Sequence, residues 1–179
     1  MNTETGMTNE QKISKGDVYR KYTFDEMSKE INRKYEDPND KEQKIKDLEQ
    51  YVDSLNDHKA EKLCCNLSHS RKNPVYGFIK RGPDHFLVGD IKISHIYMIG
   101  INGNVNHYLS NHCFSLKECS KDKHVIRHKE FKKKGDIHPR SMTLIAQMID
   151  KNRFMLIDGN HRAIRLASNG EKRLRLIYY

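Results

Sequence analysis

The sequence predicts an α/β fold, with a sheet and flanking helices over residues 73–179. A helical extension over 23–70 precedes it, and a disordered or loosely ordered N-terminus is expected over 1–22. Three observations carry this. Residues 154–162 read F-M-L-I-D-G-N-H-R, an apolar strand-length run broken by glycine, with helical spacing after it. From Asn73 the apolar pattern changes to period two with glycine punctuation. Upstream of Asn73, apolar residues recur at helical intervals instead.

At 179 residues the chain suits one domain, or a compact domain with an extension. Only 36% of residues are hydrophobic and 32% are charged, which implies a modest core and a heavily solvated surface. A net charge of +9 points to a polyanionic partner, or simply to a lysine-rich surface. No apolar run approaches the roughly 18 residues that cross a bilayer, and the polar N-terminus has no signal-peptide core. The four cysteines, with Cys64 and Cys65 adjacent, do not form a disulfide framework. A cytoplasmic protein with no membrane partner is expected.

Residues 1–14 are polar and expected to be disordered. Thr23-x-x-Glu26 matches a capping box, and Phe24, Met27, Ile31 and Tyr35 follow at helical spacing. Asp37-Pro38 ends that helix and Asn39-x-x-Glu42 opens a second, whose Ile45, Leu48, Val52 and Leu55 form one apolar stripe. A third short helix is expected over 58–67. These helices either pack on the main domain or offer their stripes to a partner protein.

Beyond Asn73, residues 75–80 and 85–88 are expected to pair as a hairpin across Arg81-Gly82-Pro83-Asp84. Residues 90–99 alternate as another strand, and 100–104 form a turn-rich loop. Ser115-Leu116-Lys117-Glu118 is a capping box opening a basic helix that runs to Lys132, Lys133 and Lys134 and stops at Gly135. Residues 142–149 suit a helix or a strand. A strand is preferred, because Asp150-Lys151-Asn152-Arg153 is turn material leading into Phe154. The closing strand, 173–178, is expected to lie parallel to 154–158 through the intervening helix, as a βαβ unit.

The stretch at 154–162 also carries the chemistry. Gly159 permits a tight turn, and Ala163, Ile164, Leu166 and Ala167 continue at helical spacing until Ser168-Asn169-Gly170. Asp158 or Asn160 is expected to cap this helix. His161 and Arg162 stand in its first turn, where the helix dipole disfavours cations. A phosphate sharing the site with the first amides accounts for them. The bland alternative is a βα turn whose basic residues face solvent.

Cys113, Cys119, His124 and His128 are zinc-ligand types, but Cys-x5-Cys-x4-His-x3-His leaves no room for the loop of a finger, so no metal site is expected. His107, His112, His138 and Lys129 could line a basic face. Lys132, Lys133, Lys134 and Arg127 are the candidate contacts to a nucleic-acid backbone.

Asp158-Gly159-Asn160-His161-Arg162, followed by Ala163, Ala167 and Gly170, resembles the signature of the ParB/sulfiredoxin superfamily. Lys134-Gly135-Asp136-Ile137-His138-Pro139 resembles that family's glycine and I-x-P passage into the next strand. The resemblance spans roughly residues 90–179. It implies a mixed sheet of ParB/sulfiredoxin type and a nucleotide held by its phosphates on Gly159, Asn160, His161 and Arg162. Asp158, His161, Arg162 and His138 become the candidate catalytic residues. ATP or CTP, with or without Mg²⁺, is the implied ligand.

The departures from the family narrow the chemistry. Asn160 stands where sulfiredoxins carry their nucleophilic cysteine, so sulfiredoxin activity is not expected. The ParB-like serine kinases share the aspartate-glycine-x-HisArg turn, but the 95–99 strand lacks their catalytic glutamate; Asp90 or Glu118 would have to replace it. No helix-turn-helix signal is found at 23–67 and none follows Tyr179, so sequence-specific partition is not expected. Asp158 alone is no nuclease metal cluster. The expectation is a nucleotide-binding domain, with NTP hydrolysis or phosphoryl transfer as its enzymatic extension. The alternatives are a non-catalytic or nuclease-like plasmid or phage protein that binds DNA or RNA, and a module that docks a partner protein through its N-terminal helices.

Overall fold

The structure, a computed structural model, describes residues 7–99, 113–120 and 144–179. It divides the chain into two compact units, and most of Ile13–Phe86 behaves as a helical unit while the sheet residues cluster separately.

In the helical unit, α1 (Lys15–Lys34) starts earlier than the Thr23 box predicts. The chain arrives extended at Ser14, whose hydroxyl accepts from the Asp17 N–H at 3.1 Å, and the Asp17 carboxylate accepts in return from the Ser14 N–H at 3.4 Å. This is the capping box in use, and the Ser14 hydrogen bond holds the Asp17 carboxyl below its ordinary pKa. Thr23 and Glu26 are instead buried mid-helix. A cap belongs where the chain enters the helix, and sequence spacing alone cannot mark that entry.

The second helix, α2 (Pro38–Asp53), is capped by Asp37 rather than Asn39. The Asp37 carboxylate accepts from the Asn39 and Asp40 amides at 2.8 and 3.1 Å, and Pro38 suits the first turn. The expected stripe is buried: Ile45, Leu48 and Val52 cluster with Phe24, and Leu55 is buried too. Next comes α3 (Asp57–Ser70), whose first turn is capped by Asn56.

Residues 75–80 are not a strand. Val75–Arg81 forms α4, with Val75, Phe78 and Ile79 buried on one helical face. The Phe78 N–H donates to the Pro74 carbonyl at 3.0 Å, which starts the helical ladder. The β-branched and aromatic content suggested a strand, but the i, i+3, i+4 spacing of the buried residues prevailed.

The sheet has the order β1-β2-β7-β5-β6-β3-β4. Its strands are β1 (Met7–Ser14), β2 (His85–Lys92), β3 (Ile96–Ile99), β4 (Cys113–Ser115), β5 (Leu144–Asp150), β6 (Arg153–Asp158) and β7 (Arg173–Tyr178). The fold is therefore mixed α/β, as expected. The N-terminal stretch expected to be disordered forms β1 from Met7 onward. Neighbouring backbone groups supply that strand's pairing, and they do not require apolar side chains. A 3-10 turn at Ile93–His95 divides the expected 90–99 strand, so 90–92 complete β2 and Ile96 opens β3.

Ser115 and Glu118 form the expected capping box, opening α5 (Leu116–Cys119). The predicted continuation through Arg127 to Lys134 lies outside the described residues, as do the 100–104 loop, His107, His112, His124, His128, Lys129 and His138. Residues 142–149 supply β5 from Leu144, and a turn at Lys151-Asn152 folds it antiparallel onto β6.

The closing strand differs from expectation. β7 runs parallel to β5, pairing Leu144 with Leu176 and Ala146 with Tyr178, while β5 runs antiparallel to β6. β7 is therefore antiparallel to β6 and separated from it by β5. The connecting helix α6 (Asn160–Ser168) has nine residues and spans only about 13 Å. That is shorter than the roughly 20 Å run of β6, and β7 starts from the end of the sheet at which β6 stops.

Ala163, Ile164 and Ala167 of α6 pack with Leu144, Phe154, Leu156, Leu174, Leu176 and Tyr178 in one core. The Phe154 and Tyr178 rings meet edge to face at 5.0 Å between centroids. Among the described residues no helix is long and apolar enough to cross a membrane.

Candidate functional site

The site begins where β6 ends. Asp158 is the last residue of β6, opposite Ile145 of β5. Gly159 then adopts a left-handed conformation, φ 93°. A Cβ there would overlap the Leu144 side chain. Both the backbone angle and the space demand glycine. Leu144 was not legible as a site residue, because its role arises from pairing across the β5–β6 hairpin.

Gly159 itself is the N-cap of α6, and no side-chain hydrogen bond caps the helix. Gly159, which has no side chain to cap with, takes the N-cap position in place of the expected Asp158 or Asn160. Asp158 instead pairs with Arg162, Oδ2 to Nη2 at 3.5 Å, and the two side chains are 18% and 15% exposed. The i, i+4 placement suits this pair, since Gly159 turns the chain so that one helical turn brings Arg162 back over the carboxylate. The carboxylate thus orients a guanidinium at the start of the helix.

The first intrahelical bond is donated by the Ala163 N–H to the Gly159 carbonyl at 2.8 Å. The amides ahead of it open toward the helix end, where the dipole is positive. His161 is exposed there. The Asn160 Oδ1 atom is buried and meets no hydrogen-bond donor among the described residues. An amide oxygen accepts, so it suits a hydroxyl or amino group rather than a phosphate oxygen. Asp158, Gly159, Asn160, His161 and Arg162 are therefore gathered at one turn, at the end of β6 and the start of α6.

The candidates for a missing catalytic acid are engaged elsewhere. Asp90, on β2, accepts from the Asn9 side chain at 3.0 Å and from Arg175 at 3.3 Å. Glu118 closes the capping box of α5. The His95 Nδ1 atom is buried without a hydrogen-bond partner among the described residues. It precedes β3, and because β3 is parallel to β6, this places it at the end of the sheet away from Gly159. Among the described residues no three His, Cys, Asp or Glu side chains gather so as to hold a metal ion. His138, Arg127, Lys132, Lys133 and Lys134 lie outside the described residues.

Comparison with protein-family models, curated proteins and solved structures finds no match to this chain.

Proposed function

We propose that the Asp158–Arg162 turn binds the phosphates of a nucleoside triphosphate, in a cytoplasmic domain of ParB/sulfiredoxin type. The observation that carries this reading is a nine-residue helix whose N-cap is a left-handed glycine, with His161 and Arg162 in its first turn. A glycine at the N-cap lets an anion approach the first amides, at the positive end of the helix dipole. His161 and Arg162 add charge there, with Arg162 aimed by Asp158. The Asn160 oxygen takes a hydroxyl of the sugar or an amino group of the base. Magnesium would be brought in with the nucleotide and would offset the charge of its phosphates. Hydrolysis or phosphoryl transfer is the enzymatic extension of this reading, with ATP or CTP as the nucleotide.

The test is thermal stability against ATP, CTP, GTP and their diphosphates, with and without magnesium, for the wild type, His161→Ala and Arg162→Ala. A ligand at about 100 times its Kd stabilises the native state by about 2.7 kcal/mol. The expected result is a shift with at least one nucleotide, lost in Arg162→Ala and reduced in His161→Ala. No shift with any nucleotide sinks the reading. DNA or RNA binding that falls steeply with salt would then favour a nucleic-acid-binding protein.

A further inference from the structure

A second cluster of polar and sulfur side chains lies on α3, within the helical unit. Glu61, Cys65 and His69 stand four residues apart and so share one face of that helix. The Cys65 Sγ atom is 3.3 Å from His69 Nδ1. The same nitrogen is 2.8 Å from the Cys65 carbonyl oxygen. A carbonyl only accepts, so this contact requires the hydrogen to sit on Nδ1. The sulfur is then the second acceptor of one N–H, which aims a hydrogen-bond donor at it. Tyr76 of α4 secures the imidazole. Its ring lies 6.0 Å from that of His69, and its hydroxyl donates to Glu61 at 3.1 Å.

The neighbouring cysteine provides the contrast. Cys64 points into the unit and is fully buried, and burial pushes its thiol up to about 12. Successive helical side chains diverge by about 100°, so Cys64 and Cys65 do not compete for one reagent. Cys65 is half-buried and carries no disulfide.

We propose that Cys65 is a thiol-modification site, with His69 as its positioning residue, and that it exchanges with low-molecular-weight disulfides. In the step, the Cys65 sulfur attacks one sulfur of the disulfide. A protein–S–S–R bond forms as the R–S–S–R bond breaks, and the released thiolate takes up the proton that the Cys65 thiol gave to solvent. No other oxidant is needed, because the disulfide is reduced as Cys65 is oxidised.

The experiment treats the full chain with 2,2′-dithiodipyridine and then with oxidised glutathione, locating the adduct by peptide mass spectrometry. The expected result is one fast-reacting equivalent at Cys65, absent in Cys65→Ser. The folded chain should react about ten-fold faster than the urea-unfolded chain. His69→Phe keeps a ring beside Tyr76 but removes the N–H donor, and should slow Cys65 about ten-fold at neutral pH. That gap should close at alkaline pH, where every accessible thiol is ionised, which a purely structural role for His69 would not produce. A fast label at Cys64, Cys113 or Cys119, or an unchanged rate in a folded His69→Phe variant, would overturn the proposal.

Discussion

Gly159→Ala probes the junction on which the candidate site stands. The left-handed φ of 93° costs a non-glycine residue about 1–2 kcal/mol. The new methyl would also overlap the Leu144 side chain, which is buried between strand and helix. Forcing a methyl into such a packed position costs about 1–3 kcal/mol. The sum is about 2–5 kcal/mol. The two parts separate in a double-mutant cycle. In a Leu144→Ala background the overlapping atoms are gone, and the nearest remaining one, the Leu144 Cα at 3.5 Å, is an ordinary contact. Gly159→Ala should then cost only the conformational part, about 1–2 kcal/mol, leaving a coupling of about 1–3 kcal/mol. Urea unfolding followed by far-UV circular dichroism measures all four corners of the cycle. A cost below about 1 kcal/mol for Gly159→Ala, or the same cost in both backgrounds, refutes the reasoning.

Two further outcomes follow from charge and hydrogen bonding. The Glu26 side chain is 2% exposed and is held by Lys29 and by Arg71 Nε at 2.8 Å. Arg71→Ala should therefore cost about 3 kcal/mol in urea unfolding, and adding Glu26→Gln should recover part of it. The Tyr178 hydroxyl donates to Glu10 Oε2 at 2.7 Å, and burial together with Glu10 raises its pKa above the ordinary phenol value. The folded state therefore keeps a proton that the unfolded chain gives up near pH 10. The Tyr178 contribution to stability is full below about pH 10 and falls as the pH rises beyond it. Tyr178→Phe should lower stability at neutral pH by about 1.5–3 kcal/mol and flatten part of the alkaline decline. Denaturant titrations from pH 8 to 11 would show a parallel decline in both proteins if the phenol plays no such part.

What the sequence determined by itself is local. The apolar run at 154–158, the glycine and the spacing of Ala163, Ile164 and Ala167 specify strand, turn and helix, because each signal is carried within a few residues. The Ser115 box and the β5–β6 hairpin were legible for the same reason, as was the buried stripe of α2. Position-dependent signals were less secure. Thr23-x-x-Glu26 has the letters of a capping box, yet the box in use is at Ser14 and Asp17, where the chain enters α1.

Tertiary structure decided the rest. β1 is polar, and only a neighbouring strand's backbone makes it a strand. The place of β5 between β6 and β7 sets the direction of the closing strand, and no pattern within that strand encodes its partner. At the site, the sequence offered Asp158 as a cap. The fold makes it the partner of Arg162 and puts Leu144 under Gly159. The first lies within one helical turn, whereas the second joins segments distant in sequence, and side-chain periodicity carries no record of it.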